Sequence, residues 1–196
     1  MALGIGAVIG AWLFGSFNSL RSLVVAPSHS IAGALAGGIV GVELWKWKQG
    51  VQQSTGGAFV LPICIGIVIG RFGCLFAGLV DYTYGTKTSL PWAVDLGDGI
   101  GRHPVQIYEA ASMALFVAIY LNARGRGREW TTTHAFHAMI IVYAGQRFLW
   151  EFLKPYPPVI GIFNVFHLLM MGLIFYGIVW WRRSNDEPGR SSARRT

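Results

Sequence analysis

Charge is the scarcest property of this 196-residue chain. Only 13% of its residues are Asp, Glu, Lys or Arg, against roughly 25% in a soluble globular domain. Hydrophobic residues make up 53% of the sequence, and the mean hydropathy is +0.47. So little polar sequence cannot cover a soluble core, and the long apolar runs predict membrane-spanning helices instead. We therefore expect an all-α, polytopic membrane helix bundle.

The chain also lacks the signatures of several other protein classes. Its two cysteines, Cys64 and Cys74, lie on one predicted helix about 15 Å apart, which excludes a disulfide between them. No P-loop, GxGxxG, HExxH or CxxC motif occurs, and we expect no metal and no cofactor. The opening MALGIGAVIGAWLF has no basic start and no cleavage site, so we expect the first helix to act as its own insertion signal.

Six apolar segments approach the roughly 20 residues that a helix needs to cross a bilayer. They cover residues 3–24, 29–46, 57–79, 105–123, 133–152 and 159–181. We predict a single transmembrane domain over residues 1–181, with an external polar loop at 80–104 that contains several turn signals. Residues 182–196 are basic and lack periodicity, and we predict a disordered cytoplasmic tail.

The distribution of Lys and Arg sets the predicted orientation. With six spans, one side of the membrane carries ten of these residues in its loops and tail, and the other side carries Lys87, Arg102 and Lys154. The positive-inside rule then places both termini in the cytoplasm and the 80–104 loop outside. The net charge of +7 does not indicate nucleic-acid binding, because the positive residues lie beside apolar segments.

Polar side chains from spans that are not adjacent in sequence fall at one depth, near the outer ends. Arg71 lies near the end of the third span, and Arg147 and Glu151 share a face near the end of the fifth. The remaining members are His29 at the start of the second span and Arg102, His103, Gln106, Tyr108 and Glu109 at the start of the fourth. Two guanidinium forks at headgroup depth suit a phosphate group.

Each of these residues also has an ordinary structural explanation. An arginine near a helix end can snorkel to the interface, and a nearby glutamate can simply neutralise it. Glu109 can pair with Arg102 or with Arg71, and His29 can be a hydrogen-bonded residue at a helix end. His167, taken as mid-span in the sixth segment, is interpreted as a hydrogen-bonded core residue. The convergence at one depth favours a functional site over these separate explanations.

Five stretches carry a resemblance to a known family. In chain order they are HSIAGALAGGIVG, GRFGCLFAG, LPWAV, RHPVQIYE and YAGQRFLWEFLK. Their order and spacing resemble the bacterial prolipoprotein diacylglyceryl transferases over about residues 5–181. The sequence departs from the family pattern at Cys74, where the family has Asn, and at Ser30, where it has Gly. The chain is also shorter, and we expect it to lack the family's first helix and external head region.

The resemblance implies an enzyme of the bacterial inner membrane with its site toward the outer leaflet. Such enzymes move a diacylglyceryl group from phosphatidylglycerol to the cysteine thiol of a lipoprotein precursor and release glycerol phosphate. Arg71 and Arg147, with Arg102 from the loop, would hold the phosphate. His29, or else Glu109 or His103, would take the acceptor proton.

The remaining implied roles concern substrate binding. Glu109 and Glu151 would orient the arginines. The implied substrate-binding residues are Gly70, Gly73, His103, Gln106, Tyr108, Tyr143 and Glu151. The alternatives at this stage are transfer to another lipid or a small molecule, and a non-catalytic phospholipid-binding or transport protein. A small-molecule transporter is disfavoured, because the sequence shows no internal repeat.

Overall fold

The computed structural model describes residues 1–19, 29–51 and 54–185. These residues are mostly helical, in agreement with the expected helical membrane protein. The α-helices are α1 (Ala2–Ser19), α2 (Ile31–Gln49), α3 (Val60–Ala77), α4 (Val105–Gly125), α5 (Trp130–Thr133), α6 (Ala135–Glu151) and α7 (Val165–Asn185). Short 3-10 helices, Gly57–Phe59 and Gly78–Asp81, flank α3, and two strands, β1 (Val94–Asp95) and β2 (Gly101–Arg102), pair antiparallel.

Within the described residues, three helical segments are long and apolar enough to cross a membrane: Gly57–Val80, Val105–Gly125 and Val165–Arg183. They correspond to the third, fourth and sixth segments predicted from the sequence. The other three predicted segments also contain helices, but these are shorter or carry more charge. Residues 20–24 of the first predicted segment and 186–196 of the predicted tail lie outside the described residues, and residues 182–185 belong to α7.

The chain divides into two compact units, and each is described by itself. The first unit comprises residues 1–53 and 156–171, and the second comprises residues 54–155 and 172–196. In the first unit, α1 packs on α2 through facing glycines. A Cβ atom on Gly6 or Gly10 would overlap the carbonyl oxygen of Gly37 or Gly33, and the reverse also holds. The two backbones therefore approach as closely as small residues allow in membrane helix pairs.

The ends of α2 follow from local capping chemistry. The side chain of Ser30 accepts a hydrogen bond from the Gly33 N–H at 3.2 Å, which satisfies a free donor of the first turn. At the other end, Gly50 has a φ of 67°, a left-handed conformation that glycine adopts without steric cost. Its N–H bonds back to the carbonyls of Lys46 and Trp47.

Helix α7 begins later than the apolar segment that predicted it. The segment starts at residue 159, but residues 160 and 163 form a tight bridge, and the helix begins at Val165. Asn164 sets this start, because its Oδ1 accepts the His167 N–H at 3.0 Å while His167 Nδ1 accepts the Asn164 N–H at 3.2 Å. His167 is therefore a hydrogen-bonded residue of the first turn, and its mid-span placement was wrong.

In the second unit, α3 packs along α4, and both contact α6. Helix α4 opens after Pro104, whose carbonyl accepts the N–H groups of Ile107 and Tyr108. Proline suits a helix start because the first N–H groups have no intrahelical partner there. Helix α3 stops at Gly78, where φ is 68°.

The polar loop between α3 and α4 is an ordered turn and not a free linker. The Asp95 Oδ1 accepts the N–H groups of Gly97, Asp98 and Gly99 at 2.9–3.1 Å, which closes the turn between β1 and β2. Thr86 then fastens the loop to the helices. Its N–H donates to the Leu153 carbonyl at 2.6 Å, and its carbonyl accepts the His103 N–H at 3.0 Å. The loop thus ties the end of α6 to the start of α4.

Candidate functional site

The centre of the candidate site is the carboxylate of Glu109 on α4, which is 1% exposed. Its Oε1 accepts a hydrogen bond from Arg147 Nη1 at 2.6 Å and lies 2.9 Å from Lys154 Nζ. Its Oε2 forms an ion pair with Arg71 Nε. One carboxylate thus holds three cations, which come from α3, from α6 and from the chain just after α6.

A second carboxylate, that of Glu151, supports the same cations. Its Oε2 lies 3.4 Å from Arg147 Nη2 and 3.9 Å from Lys154 Nζ. The i, i+4 spacing of Arg147 and Glu151 on α6 predicts this contact. We call the five residues the ion cluster: Arg71, Glu109, Arg147, Glu151 and Lys154. All five side chains are at most 4% exposed.

Helical spacing brings these side chains inward. On α3, the buried residues Val60, Cys64, Ile67 and Arg71 repeat at intervals of three or four, so Arg71 continues an apolar stripe that faces the core. On α6, residues 143, 147 and 151 form a corresponding buried row. The ion cluster therefore occupies positions that a soluble helix would fill with apolar residues.

The ion cluster contains three cations and two carboxylates. Burial, with a smaller contribution from Arg147, lowers the pKa of Lys154 from 10.5 to about 8, against the raising effect of Glu109 and Glu151. Lys154 is therefore mostly protonated at neutral pH. A buried charge is costly unless an opposite charge meets it. Three buried cations this close together are suited to contact an anionic group.

Uncharged polar groups lie beside the ion cluster. Tyr143 precedes Arg147 by one turn and is 1% exposed. Its hydroxyl is buried without a hydrogen-bond partner among the described residues, and so are both amide atoms of Gln146. Gln106 is also buried, and its Nε2 lies 3.5 Å from the Thr83 hydroxyl. Such groups can donate to or accept from a polar headgroup.

A second, more exposed group of side chains joins the polar loop to α4 and α6. Trp92 Nε1 donates to the Tyr108 hydroxyl at 2.8 Å, and the Tyr108 ring lies 5.1 Å from the Trp150 ring. The His103 ring packs edge-on at 6.3 Å from Tyr108. Trp92 remains 56% exposed. The predicted residues His103 and Tyr108 thus belong to this aromatic group.

Arg102 is engaged within the polar loop. Its Nη1 and Nη2 each lie 2.7 Å from an oxygen of Asp98, and its guanidinium carbon lies 5.1 Å from the Tyr84 ring centroid. These hydrogen bonds lower the pKa of Asp98 and raise that of Arg102. Of the two partners considered for Glu109, the structure therefore selects Arg71.

Three further residues predicted for the site are Gly70, Gly73 and His29. Gly70 and Gly73 flank Arg71 on α3, and a Cβ on Gly73 would meet no atom within 4 Å in the described part of the chain. His29 is exposed and directly precedes the N-cap residue of α2 in the first unit. Their predicted roles stay predictions.

Sequence reasoning missed two residues of the site. Lys154 was counted only as a loop charge, although its spacing of three from Glu151 signals a shared face. Gln146 stands beside Arg147 within YAGQRFLWEF and received no role. Among the described residues, no group of three or more His, Cys, Asp or Glu side chains could hold a metal ion.

Comparison with known proteins gives a consistent set of relatives. The family model described as prolipoprotein diacylglyceryl transferase matches residues 4–183. The chain is 29% identical over 194 residues to the phosphatidylglycerol–prolipoprotein diacylglyceryl transferase of Geobacter sulfurreducens, which covers 90% of this chain and 73% of the relative.

Two further relatives carry the same name. The protein of Nitratidesulfovibrio vulgaris is 30% identical over 80% of this chain and 62% of its own length. The protein of Cupriavidus pinatubonensis is 32% identical over 80% of this chain and 60% of its own length. This chain therefore spans somewhat less than two thirds of these two relatives. No solved structure gives a significant match.

Proposed function

Because the chain belongs to the prolipoprotein diacylglyceryl transferase family, we propose that it transfers a diacylglyceryl group from phosphatidylglycerol to the lipobox cysteine of a prolipoprotein. The family assignment confirms the resemblance of the sequence motifs. The products are a thioether-linked lipoprotein precursor and glycerol phosphate. The relatives' names favour this reaction over a non-catalytic lipid-binding role or a different acceptor.

The observation that supports this proposal best is the buried group of three cations, Arg71, Arg147 and Lys154, gathered around Glu109. Phosphatidylglycerol carries a negative phosphodiester, which is the kind of group that such cations bind. The planar donors of Arg71 and Arg147 suit two oxygens of one phosphate. Glu109 and Glu151 hold these guanidinium groups in place, so the donors need no reorganisation when a phosphate binds.

The chemistry assigns a further task to these cations. The thiol sulfur attacks the glyceryl carbon that bears the phosphate, a C–S bond forms, and the C–O bond breaks with its electron pair moving to the phosphate oxygen. The thiol proton leaves to a base. Negative charge therefore grows on the phosphate oxygens during the step, where Arg71, Arg147 and Lys154 stabilise it.

The base that takes the thiol proton is proposed from the family resemblance alone. His29 is the first candidate and His103 the second. Glu109 is better suited to positioning, because taking up a proton would loosen its contacts with three cations at once. Tyr143, Gln106 and the glycines beside Arg71 complete the proposed contacts to the glycerol headgroup.

We further propose that six helices span the inner membrane, with both termini in the cytoplasm and the site toward the outer leaflet. The asymmetric distribution of Lys and Arg supports this orientation. The test is cysteine labelling in intact cells after both native cysteines are replaced. Lys87→Cys in the polar loop reacts with a membrane-impermeant reagent, and Arg126→Cys does not. The opposite pattern would refute the orientation.

The activity test uses the purified chain in phospholipid nanodiscs. Phosphatidylglycerol labelled in its headgroup glycerol is mixed with a lipobox peptide, and released glycerol phosphate is measured. We expect release by the wild type and a loss of about 100-fold in Arg147→Lys, because lysine cannot form the two-pronged contact. Arg126→Lys, an exposed change at the end of α4, serves as the matched control. Binding of phosphatidylglycerol without any release would refute the transferase activity.

A further inference from the structure

We propose that Gln146 on α6, together with Tyr143, binds the two hydroxyl groups of the phosphatidylglycerol headgroup and so determines which phospholipid serves as donor. The inference rests on the proposed function, because it concerns the same lipid at the same site. It gives Gln146 a role as a specificity residue. The chemical feature that the two side chains recognise is a neutral pair of adjacent hydroxyls next to a phosphodiester.

The first step is the state of the two side chains. Both amide atoms of Gln146, Nε2 and Oε1, are buried and have no hydrogen-bond partner among the residues that the structure describes. The hydroxyl of Tyr143, a residue that is 1% exposed, is in the same condition. Buried polar atoms in native proteins almost always have a partner, because leaving them unpaired costs free energy. Three such atoms on one helix therefore indicate that a polar group binds there.

The second step is the position of these atoms beside an arginine of the ion cluster. Tyr143 lies three residues before Gln146 and four before Arg147 on α6, so the three side chains fall within about 100° around the helix axis. Arg147 is one of the residues proposed to contact the phosphate. In phosphatidylglycerol, the headgroup glycerol is bonded directly to that phosphate. A phosphate at Arg147 therefore brings the headgroup hydroxyls close to Tyr143 and Gln146.

The third step is that α4 holds the next side chain of the same row. Trp150 follows Gln146 by four residues, and its ring lies 5.1 Å from the Tyr108 ring. Its Nε1 donates to the Ser112 hydroxyl at 3.3 Å. Because an indole has only this one donor, Trp150 does not compete for the amide oxygen of Gln146. The amide is thus left to a ligand.

The fourth step is the chemical match between these atoms and a diol. A glutamine amide offers a donor and an acceptor side by side, and a tyrosine hydroxyl can act as either. Each of the two adjacent hydroxyls of the headgroup glycerol also donates and accepts. The ammonium of an ethanolamine headgroup only donates, and a choline headgroup does neither. A site built to bond a hydroxyl rejects an analogue without it, because its buried polar atoms then stay unpaired.

The experiment compares two lipids that differ only in the headgroup hydroxyls. Phosphatidylglycerol competes with phosphatidylpropanol, an equally charged phosphodiester with identical acyl chains, in phosphatidylcholine nanodiscs, and bound lipid is counted by native mass spectrometry. We expect the wild type to prefer phosphatidylglycerol by about tenfold or more, the size of two net hydrogen bonds. Gln146→Met has a similar length but no amide. It weakens phosphatidylglycerol alone and brings the ratio to within about threefold of one.

Two further variants complete the binding test. Gln49→Met makes the same substitution at the exposed last residue of α2 and keeps the wild-type ratio. Tyr143→Phe keeps the ring, removes one oxygen and lowers the ratio by about threefold or more. Because it changes the packing so little, it tests the proposal even where Gln146→Met does not fold.

A second readout uses turnover. With a lipobox peptide as acceptor, phosphatidylglycerol releases glycerol phosphate and phosphatidylpropanol releases propyl phosphate. The ratio of kcat/KM for the two donors falls in Gln146→Met and Tyr143→Phe as the binding ratio does, and stays unchanged in Gln49→Met.

The contradicting results are of two kinds. A wild type that binds both lipids equally, or a Gln146→Met variant that weakens both by the same factor, refutes headgroup recognition by Gln146 and leaves the proposed function intact. A wild type that binds phosphatidylglycerol no better than phosphatidylcholine refutes the proposed function, and this inference with it.

Discussion

Replacing Glu109 by glutamine tests whether the ion cluster holds the helices of the second unit together. The substitution keeps the size of the side chain but removes the carboxylate that contacts Arg71, Arg147 and Lys154, so the buried positive charge rises by one. Removing one partner of a buried ion pair costs about 3–5 kcal/mol. We expect a loss of unfolding free energy toward the upper end of this range, because Glu109 contacts three cations within one buried site.

The assay is an SDS titration of the purified protein in mixed micelles, followed by far-UV circular dichroism. The matched control is Asp98→Asn, which also removes a carboxylate with two contacts of 2.7 Å to a guanidinium, but in an exposed loop. We expect a far smaller effect there, because solvent screens the pair. A loss below about 1 kcal/mol for Glu109→Gln, the range of exposed pairs, would refute the reasoning.

Four further predictions concern the glycine contact of α1 with α2, the titration of Lys154 and the start of α7. Gly37→Ala lowers the thermal midpoint, because the added Cβ overlaps the Gly6 carbonyl, whereas Gly4→Ala leaves it unchanged or raises it, because a Cβ there meets no atom within 4 Å and alanine favours helix. The affinity for phosphatidylglycerol falls as pH rises through about 8, where Lys154 loses its proton, and Lys154→Arg removes this fall. The unfolding free energy has the opposite slope, rising between about pH 8 and 10.5, because the unfolded chain holds the Lys154 proton more tightly. Asn164→Ala lowers the unfolding free energy by about 1 kcal/mol through the lost cap of α7.

These predictions have clear contradicting results. Equal thermal midpoints for Gly37→Ala and Gly4→Ala would show that α1 and α2 are not held at glycine contact. If the affinity of Lys154→Arg for phosphatidylglycerol still fell as pH rose through about 8, a group other than Lys154 would be responsible for the pH dependence. An Asn164→Ala protein as stable as the wild type would mean that the hydrogen bonds between residues 164 and 167 do not fix the start of α7.

The helices and the polar centre of the site were predictable from the sequence, because both follow from periodicity and depth. Apolar runs located the long helices of the described residues, and the common depth predicted for Arg71, Arg147, Glu151 and Glu109 anticipated that they meet. Depth alone, however, does not determine which carboxylate faces which cation. The pairing of Glu109 with Arg71 depends on the rotation of α3 against α4, which the hydrophobic pattern leaves open.

Three features outside the long helices could not be predicted from apolar patterns, because they depend on short-range geometry: the pairing of Arg102, the role of Lys154 and the start of α7. Asp98 captures Arg102 because the strands β1 and β2 fold the loop back on itself, and no apolar pattern signals so short a ribbon. Lys154 was missed because the positive-inside argument treats a loop lysine as a marker of topology. The start of α7 was misplaced because hydropathy does not distinguish an apolar turn from a helix, although Asn164 offered a capping signal.

The distance along the chain between the members of the ion cluster has a consequence for biosynthesis. Glu109 follows Arg71 by 38 residues and precedes Arg147 by 38. At about 5–20 residues per second, Arg71 is made roughly 2–8 s before its carboxylate partner. Helix α3 can enter the membrane with this lone charge, because it is the most apolar of the three span-length helices. Helix α6 carries two charges and is made after α3 and α4, when Glu109 has already been synthesised and can pair with Arg147. The order of synthesis thus makes α6, which carries two charged residues, available only after Glu109 on α4, the partner of Arg147.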